Sequence, residues 1–345
     1  MIELQEVTKM YDGRVKAVDA VSFTVRRGEI FGLIGTSGCG KTTTLKVINR
    51  LIEPTSGRIL VDGKPADAVP PEELRRNIGY VIQNVGLFPH YTIKENLSIV
   101  PKLLDWDQPR IDRRCEELME LVGLDPSEYI GRKPQALSGG QQQRIGFARA
   151  LAADPEVILM DEPFGALDPI TKEQIQNEFK NLLHEIDKTI VLVTHDVSEA
   201  FDLCDRVALM DGGQLQQTGT PKELLMKPAS EFVASFFDVN RLELEMETIT
   251  VGDIVAALRD RFGRKRITSP DEREGMEDLV SVGETDSFAD AYARINRDRA
   301  GRLNVVEQTG EGEVVKGIVE AEDLLAGFHL VRNRTPDRSG EGGDG

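Results

Sequence analysis

The sequence is poor in cysteine and tryptophan and has no long apolar run. Its three cysteines, Cys39, Cys115 and Cys204, show neither paired nor metal-binding spacing, which argues against a disulfide framework or a zinc site and indicates a reducing compartment. No stretch approaches the roughly 18 apolar residues that span a bilayer, and the N-terminus lacks the basic and apolar segments of a signal peptide. We therefore expect a chain that is soluble by itself.

A surplus of positive charge is also missing. The net charge is -17, so a nucleic-acid backbone would be repelled unless a local basic patch offset it, and no such block stands out. The acidic surplus fits a salt-rich cytoplasm and an ordinary acidic protein equally well. The 345 residues exceed what one hydrophobic core usually organises, which predicts about two domains.

A glycine-rich loop between a strand and a helix is the first chemical feature. Residues 30–34 form an apolar run typical of a buried strand, and residues 43–51 carry apolar side chains at helical spacing. Glycines let successive N–H groups point inward, and a helix N-terminus favours an anion there. The loop is predicted to bind nucleotide phosphates, with Lys41 at the β and γ phosphates and Thr42 on Mg²⁺. It consists of Gly35, Thr36, Ser37, Gly38, Cys39, Gly40, Lys41 and Thr42, and Thr43 follows.

Two acidic residues follow a second apolar run. Residues 157–160 lead directly into Asp161 and Glu162. With a phosphate loop upstream, we assign Asp161 to Mg²⁺ and Glu162 to the water that attacks the γ-phosphate. His195 follows residues 190–194 in the same way and is expected to meet the γ-phosphate, a structural histidine being the alternative.

The apolar runs alternate with helical patterns along the chain. Residues 78–82 form a further strand-like run, and residues 112–122 an amphipathic helix. Such alternation predicts an α/β fold with a mainly parallel sheet covered by helices on both faces. With the phosphate loop, this order resembles that of a P-loop nucleoside triphosphatase.

A second glycine-rich turn supplies another anion site. Ser138, Gly139, Gly140 and Gln141 precede a helix whose free N–H groups and dipole would attract negative charge. One γ-phosphate and two anion sites per chain are reconciled by a two-fold dimer, in which each turn closes over the nucleotide held by the other subunit. Asp168 is expected at the shared interface.

Together these motifs resemble those of an ATP-binding cassette (ABC) ATPase, over residues 1–236. The resemblance implies an antiparallel β subdomain and a helical subdomain beside the parallel sheet, and ATP with Mg²⁺ as the bound groups. It further implies that Tyr11 stacks on adenine and that Val18 belongs to the nucleotide site. Gln83 would contact Mg²⁺ and the attacking water and link the site to a membrane partner. A tyrosine packed on the core and a polar strand end are the alternative interpretations of Tyr11 and Gln83.

Residues 83–93, 100–106 and 49–57 narrow the resemblance. They are similar to the ATPase subunits of importers for quaternary-ammonium osmoprotectants such as glycine betaine, choline, carnitine and proline. Cassettes of this kind meet the coupling helices of a permease near the first of these segments. Its apolar side chains are interpreted as a docking surface, with a helical-subdomain core as the alternative; they are Leu87, Phe88, Ile93 and Leu97.

The remainder of the chain, after residue 236, has a different sequence pattern. A linker over residues 237–247 is followed by a strand-helix-strand-strand-helix order within residues 248–331, which resembles a single CBS motif, and residues 332–345 are predicted to be disordered. CBS motifs normally pair, so dimerisation could supply the missing half. Regulation by ionic strength or nucleotide and plain dimerisation both stay open.

These patterns predict the ATP-hydrolysing subunit of an importer. The resemblance implies a homodimer that binds a transmembrane permease at the cytoplasmic face of the cell membrane and, through it, depends on an extracytoplasmic solute-binding protein. One alternative is an importer for polyamine, sulfate or metal, and another is a soluble cassette protein outside transport.

Overall fold

A computed structural model of the chain describes residues 1–83, 86–165, 167–262, 280–298, 300–309 and 312–333. The chain divides into two units, Met1–Thr220 and Pro221–Gly345. Within the described ranges, no helix combines the length and the apolar character that crossing a bilayer requires.

The first unit is built on a six-stranded sheet in the order β10-β9-β3-β8-β7-β6. Neighbouring strands are parallel except for β10, which pairs antiparallel with β9, so the predicted mainly parallel sheet is confirmed. The central strands β3, β7 and β8 are buried along their whole length, as their apolar sequences predict. The six strands are β3 (Ile30–Gly35), β6 (Ile78–Val81), β7 (Val157–Asp161), β8 (Thr189–Val193), β9 (Arg206–Asp211) and β10 (Gln214–Gly219).

A second, four-stranded antiparallel sheet has the order β2-β1-β4-β5. Its apolar side chains share one core with the inner strands and the first helix, for example Val7 and Phe23 with Phe31 and Leu45. The sheet therefore forms the antiparallel β subdomain that the resemblance implied. Its strands are β1 (Ile2–Tyr11), β2 (Val15–Val25), β4 (Ser56–Val61) and β5 (Lys64–Pro65).

Most helices of the first unit begin at polar caps, whereas the first two follow Gly40 and Pro70 without a side-chain cap. Thr92 and Ser138 each form a capping box with the residue three positions later, and Asp107, Asp168 and Asp196 each accept a hydrogen bond from a backbone N–H of the first turn. The helices are α1 (Lys41–Ile48), α2 (Pro71–Arg76), α3 (Ile93–Leu103), α4 (Gln108–Leu121), α5 (Pro126–Tyr129), α6 (Gly139–Ala150), α7 (Pro169–Glu185) and α8 (Val197–Leu203).

The second unit contains a three-stranded sheet in the order β11-β12-β13. The central strand β12 pairs parallel with β11 and antiparallel with β13. The order β11, α13, β12, β13, α14 is the strand-helix-strand-strand-helix pattern expected from the sequence. The strands are β11 (Val280–Gly283), β12 (Arg302–Thr309) and β13 (Gly312–Glu320), and the helices are α9 (Pro221–Met226), α10 (Glu231–Phe236), α11 (Arg241–Thr248), α12 (Val251–Phe262), α13 (Phe288–Asp298) and α14 (Ala321–Arg332).

The segment interpreted as a linker is ordered in the structure. Residues 241–248 form α11, which buries Leu244 and Glu245, and Met226 and Met246 pack against the core of the second unit. Residues 221–236, which the sequence assigned to the cassette, lie in the second unit as well. The charge-rich composition of residues 237–247 concealed this packing, because Glu245 is buried through ion pairs with Arg241 and Arg332. The predicted disorder of the tail falls, from residue 334 onward, outside the described residues.

Candidate active site

The carboxyl ends of four parallel strands bring the predicted residues to one edge of the sheet. β3 leads into the glycine loop, β7 ends at Asp161, and β8 and β6 are followed closely by His195 and Gln83. Ligand sites of open α/β sheets form at this edge. A cavity of about 480 Å³ opens there, lined by Ser37, Gly38, Cys39, Gly40, Lys41, Thr42, Thr43, Glu162 and His195.

The glycine loop has a backbone that other residue types could not adopt. Gly35, Gly38 and Gly40 have φ values of 146°, 77° and 105°. A Cβ atom at Gly40 would lie 2.1 Å from the carbonyl oxygen of Ala17, and one at Gly35 would lie 2.0 Å from that of Met210. The loop is therefore held close to neighbouring backbone on both sides, which fits it to receive phosphate groups.

Lys41 and Thr42 begin helix α1 at the base of this loop. The Lys41 ammonium donates hydrogen bonds to the carbonyl oxygens of Gly35 and Thr36, each over 2.9 Å. Thr42 Oγ1 donates to Asp161 Oδ1 over 2.9 Å. The loop is also tied from the outside, because Thr36 Oγ1 donates to Asp211 Oδ1 over 2.7 Å. A phosphate oxygen would give the Lys41 ammonium a stronger partner than a neutral carbonyl.

Asp161 is a buried carboxyl with the character of a cation ligand. Burial raises the pKa of this carboxyl, although the hydrogen bond from Thr42 and the charge of Lys46 oppose the shift. A buried carboxylate is stabilised by a nearby cation, and magnesium prefers oxygen ligands. The adjacent oxygens of Thr42 and Asp161 therefore fit the predicted Mg²⁺ site.

Glu162 is the residue on which the predicted catalytic groups converge. Its Oε2 accepts a hydrogen bond from Gln83 Nε2 over 2.7 Å, and His195 Nδ1 lies 3.4 Å from the same oxygen. Its backbone is in the left-handed region, with φ 47°, and its N–H donates to the carbonyl oxygen of Val193 on β8. Strained residues of this kind often lie at functional sites. The side chain is thus aimed into the cavity by the two strands.

The second anion site lies on a different element, the N-terminus of α6. Ser138 Oγ accepts a hydrogen bond from the N–H of Gln141, and Gln141 Oε1 accepts one from the N–H of Ser138. Ser138 and Gly139 are exposed. No residue of this turn is among the described residues that line the phosphate cavity. The turn and the glycine loop therefore lie at separate places, and the second anion site stays a prediction.

Three further predicted residues take different positions. Tyr11 is exposed at the end of β1, with the Lys9 ammonium 5.4 Å from its ring centroid, so the ring is available for stacking. Val18 is fully buried in the core of the first unit. Asp168 caps α7 by accepting from the N–H of Thr171 over 3.1 Å.

The apolar segment interpreted as a docking surface divides into two parts. Ile93 and Leu97 of α3 are fully buried and belong to the helical subdomain, so the docking interpretation is wrong for them. Phe88 is half exposed and borders a groove of about 440 Å³ whose lining also includes Ile82 and Val100. The sequence could not separate the two parts, because α3 is amphipathic and begins only at Ile93.

A buried ion cluster beside His195 was not foreseen from the sequence. Lys172 Nζ on α7 lies 2.6 Å from Asp196 Oδ2 and 3.4 Å from Glu199 Oε2. Burial raises the pKa of Glu199 to about 7, although the positive charge of Lys172 opposes the shift. The signal available in the sequence was a helical pattern with Lys172 four residues after Asp168, but nothing in the spacing connects it to Asp196.

The raised pKa of Glu199 makes the stability of the first unit depend on pH. A carboxyl that prefers its proton in the folded state contributes stability below the unfolded pKa of 4.5, and this contribution is lost as the pH rises through about 7. Glu199→Gln cannot ionise, so its free energy of unfolding relative to the wild type should rise by up to about 3 kcal/mol between acidic and mildly alkaline pH. Urea unfolding at a series of pH values measures the difference.

The matched control is Glu185→Gln, which changes an exposed glutamate at the end of α7. Its stability difference from the wild type should stay constant across the same pH series. A Glu199→Gln curve that runs parallel to the wild type would contradict the assignment.

Known proteins resemble both the sequence and the fold. A family model described as an ABC transporter matches residues 18–165. The "Glycine betaine/carnitine/choline transport ATP-binding protein OpuCA" of Bacillus subtilis (strain 168) is 55% identical over 242 residues, 70% of this chain and 63% of that relative. The "Glycine betaine uptake system ATP-binding protein YehX" of Escherichia coli (strain K12) is 48% identical over 325 residues, 94% of this chain and 99% of that relative.

A solved structure extends the likeness to three dimensions. It is titled as the dimeric, post-hydrolysis state of an ATP-binding cassette bound to ADP and Pi, and it superposes with a TM-score of 0.57 at 35% identity, covering 64% of this chain and 98% of that one. The chain thus spans 63% of the length of OpuCA and almost all of YehX. The resemblance predicted from the motifs is confirmed: the chain belongs to the ABC transporter family.

Proposed function

We propose that this chain is the ATP-hydrolysing subunit of an importer for quaternary-ammonium osmoprotectants, the class that includes glycine betaine, choline, carnitine and proline. The observation that carries the hydrolytic part is the meeting of Gln83 and His195 at Glu162 Oε2, beside a phosphate-binding loop. The named relatives support the transport part, and the YehX alignment extends beyond the first unit.

The phosphates of ATP would lie in the loop formed by residues 35–42. The Lys41 ammonium, which donates to the carbonyl oxygens of Gly35 and Thr36, would exchange these partners for the β and γ phosphates. Thr42, Asp161 and Gln83 would hold Mg²⁺, which neutralises charge that develops on the phosphates. Tyr11 would stack on adenine from the exposed end of β1.

Glu162 would act as the general base. Its carboxylate would take a proton from the attacking water while Gln83 and His195, both near Oε2, orient the base and the water. His195 has a side chain that is 62% exposed, so it can reach the γ-phosphate from the cavity wall. These residues would position the attacking water and accept its proton, while Lys41, together with Mg²⁺, would stabilise the charge on the phosphates. Positioning and charge stabilisation are the main contributions a protein makes to phosphoryl transfer.

Two subunits would complete each site. Ser138, Gly139, Gly140 and Gln141 lie at the N-terminus of α6 outside the phosphate cavity. Ser138 and Gly139 are exposed there, so this end of the helix could meet the nucleotide of a second copy. A two-fold dimer satisfies both anion sites at once, and Asp168 would lie at the shared interface.

The membrane partner would be a permease at the cytoplasmic face. The groove beside Phe88 is lined by Ile82 and Gly86, which lie close to Gln83 along the chain. A permease helix docked in this groove would therefore respond to the state of the nucleotide site. A solute-binding protein outside the membrane would deliver the cargo. We propose a cassette over residues 1–236 and a CBS-like unit over residues 248–331, which would serve regulation or dimerisation. Residues 237–247, most of which lie in α11, would connect them, although residues 221–236 group with the second unit.

Solute specificity is tested by transport. The purified chain is reconstituted in liposomes with the permease and the solute-binding protein encoded beside its gene. The liposomes are loaded with ATP. We expect ATP-dependent uptake of labelled glycine betaine or choline, and no uptake of spermidine or sulfate. Uptake of spermidine alone would replace the osmoprotectant assignment by a polyamine one, while ATP hydrolysis without any uptake would favour a cassette outside transport.

A further inference from the structure

We propose that Lys172 is a positioning residue for ATP hydrolysis, which holds the His195 loop in its place through Asp196 and Glu199. The proposal rests on the proposed function and adds a residue that does not line the phosphate cavity. Lys172 would act only through the loop that carries His195.

The geometry connects α7 to both neighbours of His195. Lys172 Nζ lies 2.6 Å from Asp196 Oδ2, and Asp196 Oδ1 accepts a hydrogen bond from the N–H of Glu199. The Asp196 N–H in turn donates to Thr194 Oγ1 over 3.0 Å. The residues before and after His195 are thus joined to each other and, through one ammonium group, to α7.

The cluster is buried enough for its charges to matter. The Glu199 side chain is 3% exposed, that of Lys172 is 20% exposed and that of Asp196 is 35% exposed, so water screens the Lys172–Glu199 pair weakly and the Lys172–Asp196 pair more strongly. Burial alone would raise the pKa of Asp196, but the hydrogen bond and the charge of Lys172, together with the backbone hydrogen bonds from Glu199 and Ser198, outweigh it and the pKa is lowered. Removing the ammonium leaves the Asp196 carboxylate without its cation and breaks the link from α7 to the loop, which favours movement of the loop.

A second ion pair between the same two helices separates positioning from general stability. Lys180 on α7 pairs with Asp202 on α8, and both side chains are about 40% exposed, at 42% and 39%. This pair lies two helical turns further along α7 from Lys172. It fastens the two helices to each other without touching the residues on either side of His195, so it provides a matched control.

The experiment compares Lys172→Met, Lys172→Arg and Lys180→Met in the full chain. Steady-state ATP hydrolysis should show kcat lowered about 10-fold in Lys172→Met, because misplacing a catalytic group by a fraction of an ångström costs rate and not affinity. Lys172→Arg should recover most of the rate, and Lys180→Met should match the wild type. KM for ATP should change by less than about twofold in all three.

A measurement without nucleotide makes the test independent of turnover. In hydrogen exchange by mass spectrometry, the peptide that covers residues 194–199 should exchange about fivefold faster in Lys172→Met than in the wild type or Lys180→Met, because local opening becomes easier. If Lys172→Met does not fold, Asp196→Asn weakens the same link by removing the carboxylate charge, and it replaces Lys172→Met in both measurements.

Equal kcat and equal exchange in the two methionine variants would overturn the positioning role. A loss of kcat with unchanged exchange would do so too, because the loop would then not have moved. Should even the wild-type chain fail to hydrolyse ATP while the exchange difference persists, the proposed function falls and the structural role of Lys172 stands.

Discussion

Replacing Glu162 by glutamine is expected to lower ATP turnover about 1000-fold, because glutamine keeps the shape of the side chain and cannot accept the proton of water. ATP binding should persist, since the loop, Lys41 and Thr42 are untouched. The variant should also accumulate as a nucleotide-bound dimer, because in the proposed cycle the dimer opens only after hydrolysis. Phosphate release and size-exclusion chromatography with Mg²⁺ and ATP measure the two effects.

The control for this variant lies at the other end of the same strand. Glu156 immediately precedes β7, is 61% exposed and pairs with Arg27 over 2.6 Å. Glu156→Gln removes a surface ion pair of small energetic weight and should keep the wild-type rate. Turnover in Glu162→Gln that stays within a few-fold of the control would exclude Glu162 as the general base.

Replacing Ser138 by arginine is expected to lower turnover about 100-fold by disrupting the composite site. The long side chain would project from the exposed N-terminus of α6, where a second subunit must approach, and the capping box with Gln141 would be lost. ATP should still bind to each subunit, because the phosphate loop is on another element. Fluorescent-nucleotide titration, turnover and the dimer fraction together identify the affected step.

Two comparisons isolate the cause of this loss. Ser138→Ala removes only the side-chain cap and should cost about 1 kcal/mol of stability. Asp107→Arg places an arginine at the cap of α4, where Asp107 accepts from the N–H of Arg110, and should leave turnover and dimer formation unchanged. Full activity of Ser138→Arg in the intact transporter would refute the two-subunit site.

The chemistry at the sheet edge could be predicted because it depends on local order along the chain. A buried strand, a glycine loop and a helix N-terminus determine where Lys41 and Thr42 lie, and a parallel sheet sends Asp161 and His195 to the same edge. The boundaries of β3, β7 and β8 were also close to those observed, since continuous apolar runs identify fully buried strands.

Features that depend on distant pairing could not be predicted. Lys172 and Asp196 are separated by 23 intervening residues and meet only because α7 and α8 lie side by side. The burial of Glu245 has the same origin, because its partner Arg332 comes from the end of the chain. Apolar pattern alone also could not tell the buried Ile93 from the exposed Phe88.

The left-handed backbone at Glu162 lowers the stability of the fold at a residue that the proposed reaction needs. Holding a residue with a β-carbon in that conformation lowers the free energy of unfolding by about 1 kcal/mol or more, a cost that glycine would not have. Selecting variants of this chain for thermal stability alone would therefore favour replacement of Glu162, the residue proposed as the general base. Stabilising substitutions should therefore be sought at other positions. Any thermostable variant should first be sequenced at residue 162 and assayed for ATP turnover.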